Sequence, residues 1–195
     1  MKQALWIWFL VLYVLGNAGF LGSILRFRRE RARVEKQSGS FPPLLAVVAW
    51  LVPPLLLLSH AGELPRDWPL LRALGFALSL YALFIIQWSV RTLGPLLVPG
   101  RAVYQDHALV TSGPYRWVRH PVYSGAFALW LGAALGTLNW ILLLLWPLAV
   151  AAIVKDLPAE EAMLREKFGA AYDAYAERTG RLVPGIRGRG GAEKP

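Results

Sequence analysis

Ser112-Gly-Pro-Tyr-Arg-Trp-Val-Arg-His-Pro-Val-Tyr-Ser-Gly125 is the longest run in this 195-residue chain that is neither plain apolar sequence nor plain charge. It packs two arginines, a histidine, two tyrosines and a tryptophan between apolar blocks. Its two prolines fix φ and restrict the residues before them. Gly113-Pro114 predicts a turn, and His120-Pro121 predicts the entry to a helix. Directly after it come two apolar blocks, residues 122–138 and 140–154, turning at Thr137-Leu138-Asn139. At 1.5 Å per residue each block is ~25 Å long, a little short for a bilayer core of ~30 Å. The loop therefore feeds a tight helical hairpin in a membrane, and so polar and rigid a loop has the make-up of one that holds something.

Working back from the motif, residues 70–90 form a third apolar block, 41–58 a second and 4–25 a first. All have the length of bilayer spans. Gly16, Gly19, Gly22 and Ser23 in the first block suit close helix packing. Pro53-Pro54, mid-span in the second, predict a break or kink. Arg26, Arg28, Arg29, Arg31, Arg33 and Lys36 follow the first span and predict a cytoplasmic loop there, with the N-terminus outside. Because this cluster follows the apolar run, the run is not a signal peptide. Residues 59–68 then form an outer loop. Trp6, Trp68 and Trp140 fall near one interface, and Trp88 and Trp117 near the other.

Beyond the hairpin, Leu164, Phe168, Ala171, Tyr172 and Tyr175 recur at helical spacing and predict one amphipathic helix over 158–178. The basic, glycine-rich segment from Arg181 to Pro195 predicts a disordered tail. The fold class is thus all-α: a single polytopic membrane domain of about five transmembrane helices with a C-terminal cytoplasmic amphipathic helix. Composition agrees, with 56% hydrophobic and only 17% charged residues. The net charge of +9 flanks the spans as an orientation signal and shows no nucleic-acid-binding pattern. The Ala/Leu/Arg-rich make-up suits a prokaryotic plasma membrane.

Several chemistries are excluded. The chain has no cysteine, which removes disulfides, thiolate metal sites and a cysteine nucleophile. There is no HExxH, and the topology puts its three histidines (His60, His107, His120) on both sides of the membrane, against a catalytic metal. Neither GxGxxG nor a P-loop occurs, no serine sits in a nucleophile elbow, and no span carries a row of charges. Two polar groups remain, one at each end of the hairpin on its cytoplasmic side: Tyr115, Arg119, His120 and Tyr123, then Glu160-Glu161. Each has a plain structural explanation. Arg116 and Arg119 serve as inside-positive anchors, the tyrosines as interface aromatics, His120 as a helix cap and the glutamates as partners of a helix dipole. Their conjunction around a short hairpin points to a site.

The run from His107 through Ser112-Gly-Pro-Tyr-Arg-Trp-Val-Arg-His-Pro-Val-Tyr123, then Glu160-Glu161, Leu164, Phe168-Gly169, Tyr172, Tyr175 and Pro184, resembles the isoprenylcysteine carboxyl methyltransferase family. Its prokaryotic members share this half with membrane phospholipid methyltransferases. The match covers about residues 91–184. The resemblance implies an integral-membrane methyltransferase that uses S-adenosylmethionine and a lipophilic acceptor entering from the bilayer. It implies cofactor contacts at His107, Ala108, Leu109, Val110, Tyr115, His120, Pro121, Val122, Tyr123 and Glu160. Aromatic faces attract a sulfonium cation, and a glutamate accepts hydrogen bonds from amino or ribose groups. Methyl transfer draws its electrophile from the cofactor, so no nucleophilic side chain is needed.

Members acting on a prenylcysteine carboxylate carry an arginine four residues before the matching glutamate, and here that position is Asp156. By the sign of the Coulomb term an acid there favours an amine or thiol acceptor over a carboxylate. Arg119 and Asp156 are the candidate acceptor contacts. Two other functions fit the sequence: a sterol-type membrane reductase using NADPH, with Arg116 and Arg119 facing its 2′-phosphate, and a non-catalytic membrane scaffold.

Overall fold

The structure, a computed structural model, describes residues 2–27, 34–37, 43–97, 102–104 and 108–186. Its framework is helical. In chain order it runs α1 (Lys2–Phe27), β1 (Val34–Gln37), α2 (Pro43–Ser59), α3 (Pro69–Leu93), β2 (Ala102–Tyr104), α4 (Pro121–Thr137), α5 (Trp140–Val154), α6 (Leu157–Phe168) and α7 (Ala170–Arg178). Short 3-10 turns, Gly94–Leu96 and Gly113–Arg116, lead out of α3 and into the motif.

α3 and α4 form the spine. They meet along a seam of small residues, Gly75 and Ser79 against Gly132 and Gly136. A Cβ on Gly75 would fall on the backbone of Gly132 and Gly136, and one on Gly136 would fall on the Phe9 ring of α1. Without side chains in the way, the two backbones touch and dispersion contacts replace any hydrophobic drive, as helices in lipid require. Two apolar clusters flank the seam. Tyr13, Ile86, Val90, Leu97, Leu129 and Trp130 make one; Phe9, Leu57, Ala133, Ala134 and Leu142 make the other.

The outer surface is apolar as well. Leu70, Phe84, Leu144 and Leu148 are 60% to 87% exposed, an exterior that water does not tolerate over so wide an area. Among the described residues two helical stretches, Pro69–Leu96 and Trp140–Phe168, are long and apolar enough to cross a membrane. In the second the apolar part is α5, since α6 alone carries Glu160, Glu161, Arg165, Glu166 and Lys167. The end away from the motif is knotted by polar bonds. Asn139 caps α5 through the Leu142 amide at 3.0 Å and donates to the Ala61 carbonyl at 2.8 Å. Arg72 donates to the Gly136 carbonyl at 2.8 Å and pairs with Asp67. Trp68 and Trp140 are exposed at this end, while Trp88 and Trp117 meet edge-on beside the motif.

Several expectations need correction. Pro53 and Pro54 do not break α2, which runs through both; Pro53 is fully buried, so packing holds the helix where two backbone donors are missing. The single terminal helix is two. Gly169, at φ 51° and ψ −131°, stands in a conformation reserved for glycine and separates α6 from α7. Ala171 is exposed and not on the buried face. An antiparallel ribbon, pairing Val34 with Tyr104 and Gln37 with Ala102, adds strands to a fold expected to be purely helical. Residues 181–186, expected to be disordered, fold onto the motif because their backbone finds partners there. Gly16 packs tightly on Leu83 and Leu129, but Gly22 has open space around it. Arg28, Arg29, Arg31, Arg33 and the tail beyond Ile186 lie outside the described residues.

Candidate functional site

The motif loop is pressed onto α3. Gly113 has φ +56°, and a Cβ there would stand 2.6 Å from the Thr92 hydroxyl and 3.2 Å from the Trp88 indole nitrogen. The turn it allows delivers Tyr115 to a buried position. The Tyr175 hydroxyl of α7 donates to the Tyr115 carbonyl at 2.8 Å. Burial pushes the Tyr175 phenol up to about 12, so it remains a donor at neutral pH. Pro121 then opens α4 at its first position, where a missing backbone donor costs nothing.

Glu161 is the hub. One carboxylate oxygen accepts from Arg119 Nε at 3.0 Å and Arg181 Nε at 3.0 Å, with His120 Nε2 at 3.3 Å. The other accepts from Arg181 Nη2 at 2.6 Å. The Arg119 and Glu161 side chains are each only 4% exposed. Charges so deep are tolerable only when paired and hydrogen-bonded, and Arg119 completes the set by donating to the carbonyls of Ala176 at 2.8 Å and Thr179 at 2.6 Å. Burial alone raises the affinity of Glu161 for a proton. Hydrogen bonds from His120, Arg181 and Arg119, with the Arg119 charge, outweigh it and hold the carboxyl well below the usual carboxylate range.

Glu160 faces the other way. It accepts from the Tyr123 hydroxyl at 3.3 Å, and His120 Nδ1 lies 3.6 Å from its other oxygen. The His120 ring thus stands between two carboxylates, with the Tyr123 ring tilted beside it at 5.9 Å between centroids. The Glu160 side chain keeps 27% of its surface exposed.

His120, Tyr123 and Glu160, drawn from both ends of the hairpin, are brought together. Tyr115 is buried in the turn before them, its carbonyl held by the Tyr175 hydroxyl. Pro121 is buried in the same first turn, whereas Val122 packs on the apolar cluster between α3 and α4. Ala108 is exposed, Leu109 and Val110 are half-buried, and among the described residues no hydrogen bond ties them to the group. His107 lies outside the described residues. Asp156 sits at the N-terminal cap of α6, its carbonyl accepting the Glu160 amide at 3.3 Å. Arg119, a candidate acceptor or phosphate contact, is spent on internal bonds, and the Arg116 guanidinium stands over the exposed Trp117 ring at 4.6 Å. Thr179 and Arg181 were not foreseen. The available signal was charge balance: adjacent glutamates need more cations than one motif arginine supplies.

A helical bundle with a lipid-compatible exterior and a compact titratable cluster at the motif end defines a membrane-embedded protein with a buried polar centre there. Residues 70–171, just over half of the chain, match the model of the phospholipid methyltransferase family, and the chain belongs to that family. It is similar to the protein-S-isoprenylcysteine O-methyltransferase of Tribolium castaneum, 37% identical over 84 residues that span 43% of this chain and 30% of the relative. The enzyme of the same name from Schizosaccharomyces pombe is 36% identical over 81 residues, 41% of this chain and 34% of the relative. Among solved structures it resembles the eukaryotic intramembrane Ras methyltransferase, an isoprenylcysteine carboxyl methyltransferase, with TM-score 0.54 and 25% identity across 75% of this chain and 53% of that one. The chain therefore spans about half, or less, of the length of these relatives.

Proposed function

We propose that this chain is an integral-membrane methyltransferase that takes its methyl group from S-adenosylmethionine and delivers it to a lipophilic acceptor reaching the site from the bilayer. The observation that carries this is the meeting of His120, Tyr123 and Glu160 at the polar end of an apolar bundle, in a chain similar to isoprenylcysteine methyltransferases.

The residues fit the cofactor. Glu160 is partly exposed and has one oxygen engaged by Tyr123, so acceptor capacity remains for an amino group or ribose hydroxyls. The half-buried Tyr123 ring offers a face to a cation, while Tyr115, which is buried, is assigned to the wall of the site. Glu161 has both oxygens taken and serves as the floor beneath His120. Ala108, Leu109 and Val110 are assigned to the approach before the turn, and Pro121 and Val122 to the wall at the start of α4; His107 is assigned to cofactor binding by the family resemblance. When bound, the cofactor supplies an electrophilic methyl group. The chain's part is to hold the acceptor atom in line and keep water out, which raises effective molarity.

The topology that suits this chemistry is a single membrane domain of five spans, α1 to α5, with the N-terminus outside and the site and α6–α7 on the cytoplasmic side. Asp156 stands one helical turn before Glu160 and makes an anionic acceptor less favourable than an amine or thiol. Calorimetry on detergent-purified protein tests the cofactor. S-adenosylmethionine is expected to bind in the micromolar range and NADPH not at all, with Glu160→Gln and Tyr123→Ala each weakening S-adenosylmethionine. Absence of binding by folded wild type removes the methyltransferase reading.

A further inference from the structure

The segment after α7 returns to the motif and pairs with it as a short parallel ladder. The Gly180 amide donates to the Trp117 carbonyl at 3.0 Å, the Arg119 amide to Gly180 at 2.8 Å and the His120 amide to Arg181 at 3.1 Å. The Ser124 hydroxyl donates to the Leu182 carbonyl at 2.6 Å. This strap lies beyond the residues that match the family model, which end at 171. From it Arg181 places a two-pronged grip on Glu161, one nitrogen on each carboxylate oxygen. A bidentate guanidinium fixes the plane of a carboxylate, which a single bond does not. The gripped oxygen also faces His120 Nε2, and the opposite ring nitrogen faces Glu160.

We propose that Arg181 is a positioning residue of the site: by locking the plane of Glu161 it sets the His120 ring, and through that ring the carboxylate of Glu160. Without the grip, the Glu161 carboxylate turns about its last bond, His120 loses a fixed partner, and the Glu160 edge is no longer held for a ligand. The effect on a ligand rests on the cofactor reading above; the effect on the ring does not.

The test uses the full chain, purified in detergent with 13C-labelled histidine. Its three histidines give three ring signals, and the one lost in His120→Gln is that of His120. Arg181→Met is expected to move or broaden the His120 signal and to raise the S-adenosylmethionine Kd at least about tenfold, in the range seen when a supporting partner is removed. The His60 signal, paired with Glu63 at 2.9 Å at the far end of the bundle, is expected to stay in place. A folded Arg181→Met with the His120 signal and Kd unchanged overturns the proposal, as does a lower Tm with neither moved. If wild type itself binds no S-adenosylmethionine, the cofactor reading fails and the His120 signal alone decides. Should Arg181→Met not fold, Arg181→Lys, which keeps the charge without the fork, is read in the same way.

Discussion

Glu161 concentrates the energetics of the site on one carboxylate. Removing it leaves Arg119 buried and uncompensated, and breaking a buried pair by deleting one partner costs about 3–5 kcal/mol. Glu161→Ala is therefore expected to lower Tm sharply in a detergent thermal scan, while Glu160→Gln, at a partly exposed position, leaves Tm nearly unchanged. The sign of the pH dependence follows from the depressed folded-state pKa of Glu161. Below the ordinary glutamate value of about 4.3 the unfolded chain binds the proton first, so stability is full above that pH and is lost as pH falls beneath it. Wild-type Tm should decline on acidification below about pH 4; a Tm flat to pH 3 contradicts this. Much of the candidate site could be read from sequence because His120, Tyr123 and Glu160 stand beside prolines and a helix start. What a letter does not carry is depth. Arg119 looked available and is buried, and Arg181 was lost among glycines that suggest disorder.

The helices follow from run length, and their contacts do not. The Gly75–Gly132 seam is invisible to a search for spans, yet it sets the α3–α4 distance that aims α4 at the site. Gly75→Val forces the backbones apart, at about 1–3 kcal/mol by the usual penalty of overpacking, and is expected to lower Tm and weaken ligand binding together. Gly169 has nothing within 4 Å of where a Cβ would stand, so the cost of Gly169→Ala is purely conformational, about 1–3 kcal/mol. If that variant loses Tm with no loss of helical circular dichroism, the kink and not the contact is what matters. The break went unseen because an isolated glycine is tolerated inside a helical pattern. The ribbon escaped notice because strands of four and three residues are too short to show alternation.

Taken entire, the molecule separates its chemistry from its solvent. Charge gathers at the two ends of the bundle, and the sides are apolar. Leu148, 64% exposed midway along α5, would face lipid in the five-span arrangement proposed above. Leu148→Lys is then expected to disfavour insertion by about 2.5–3.5 kcal/mol, measured as a lower inserted fraction in a translocation assay, and Lys at exposed Leu70 near a span end should cost much less. Burial on both faces would reverse that order.

The ladder between the motif and the strap bears on how the protein is born. Arg119 and Thr179 are 60 positions apart, and the whole α4–α5 hairpin is synthesised before the strap. Until then the loop lacks the backbone partners that shape it, and the charges around Glu161 are unbalanced. A chain still lacking the strap carries every motif residue but not the backbone and Arg181 partners that hold them together.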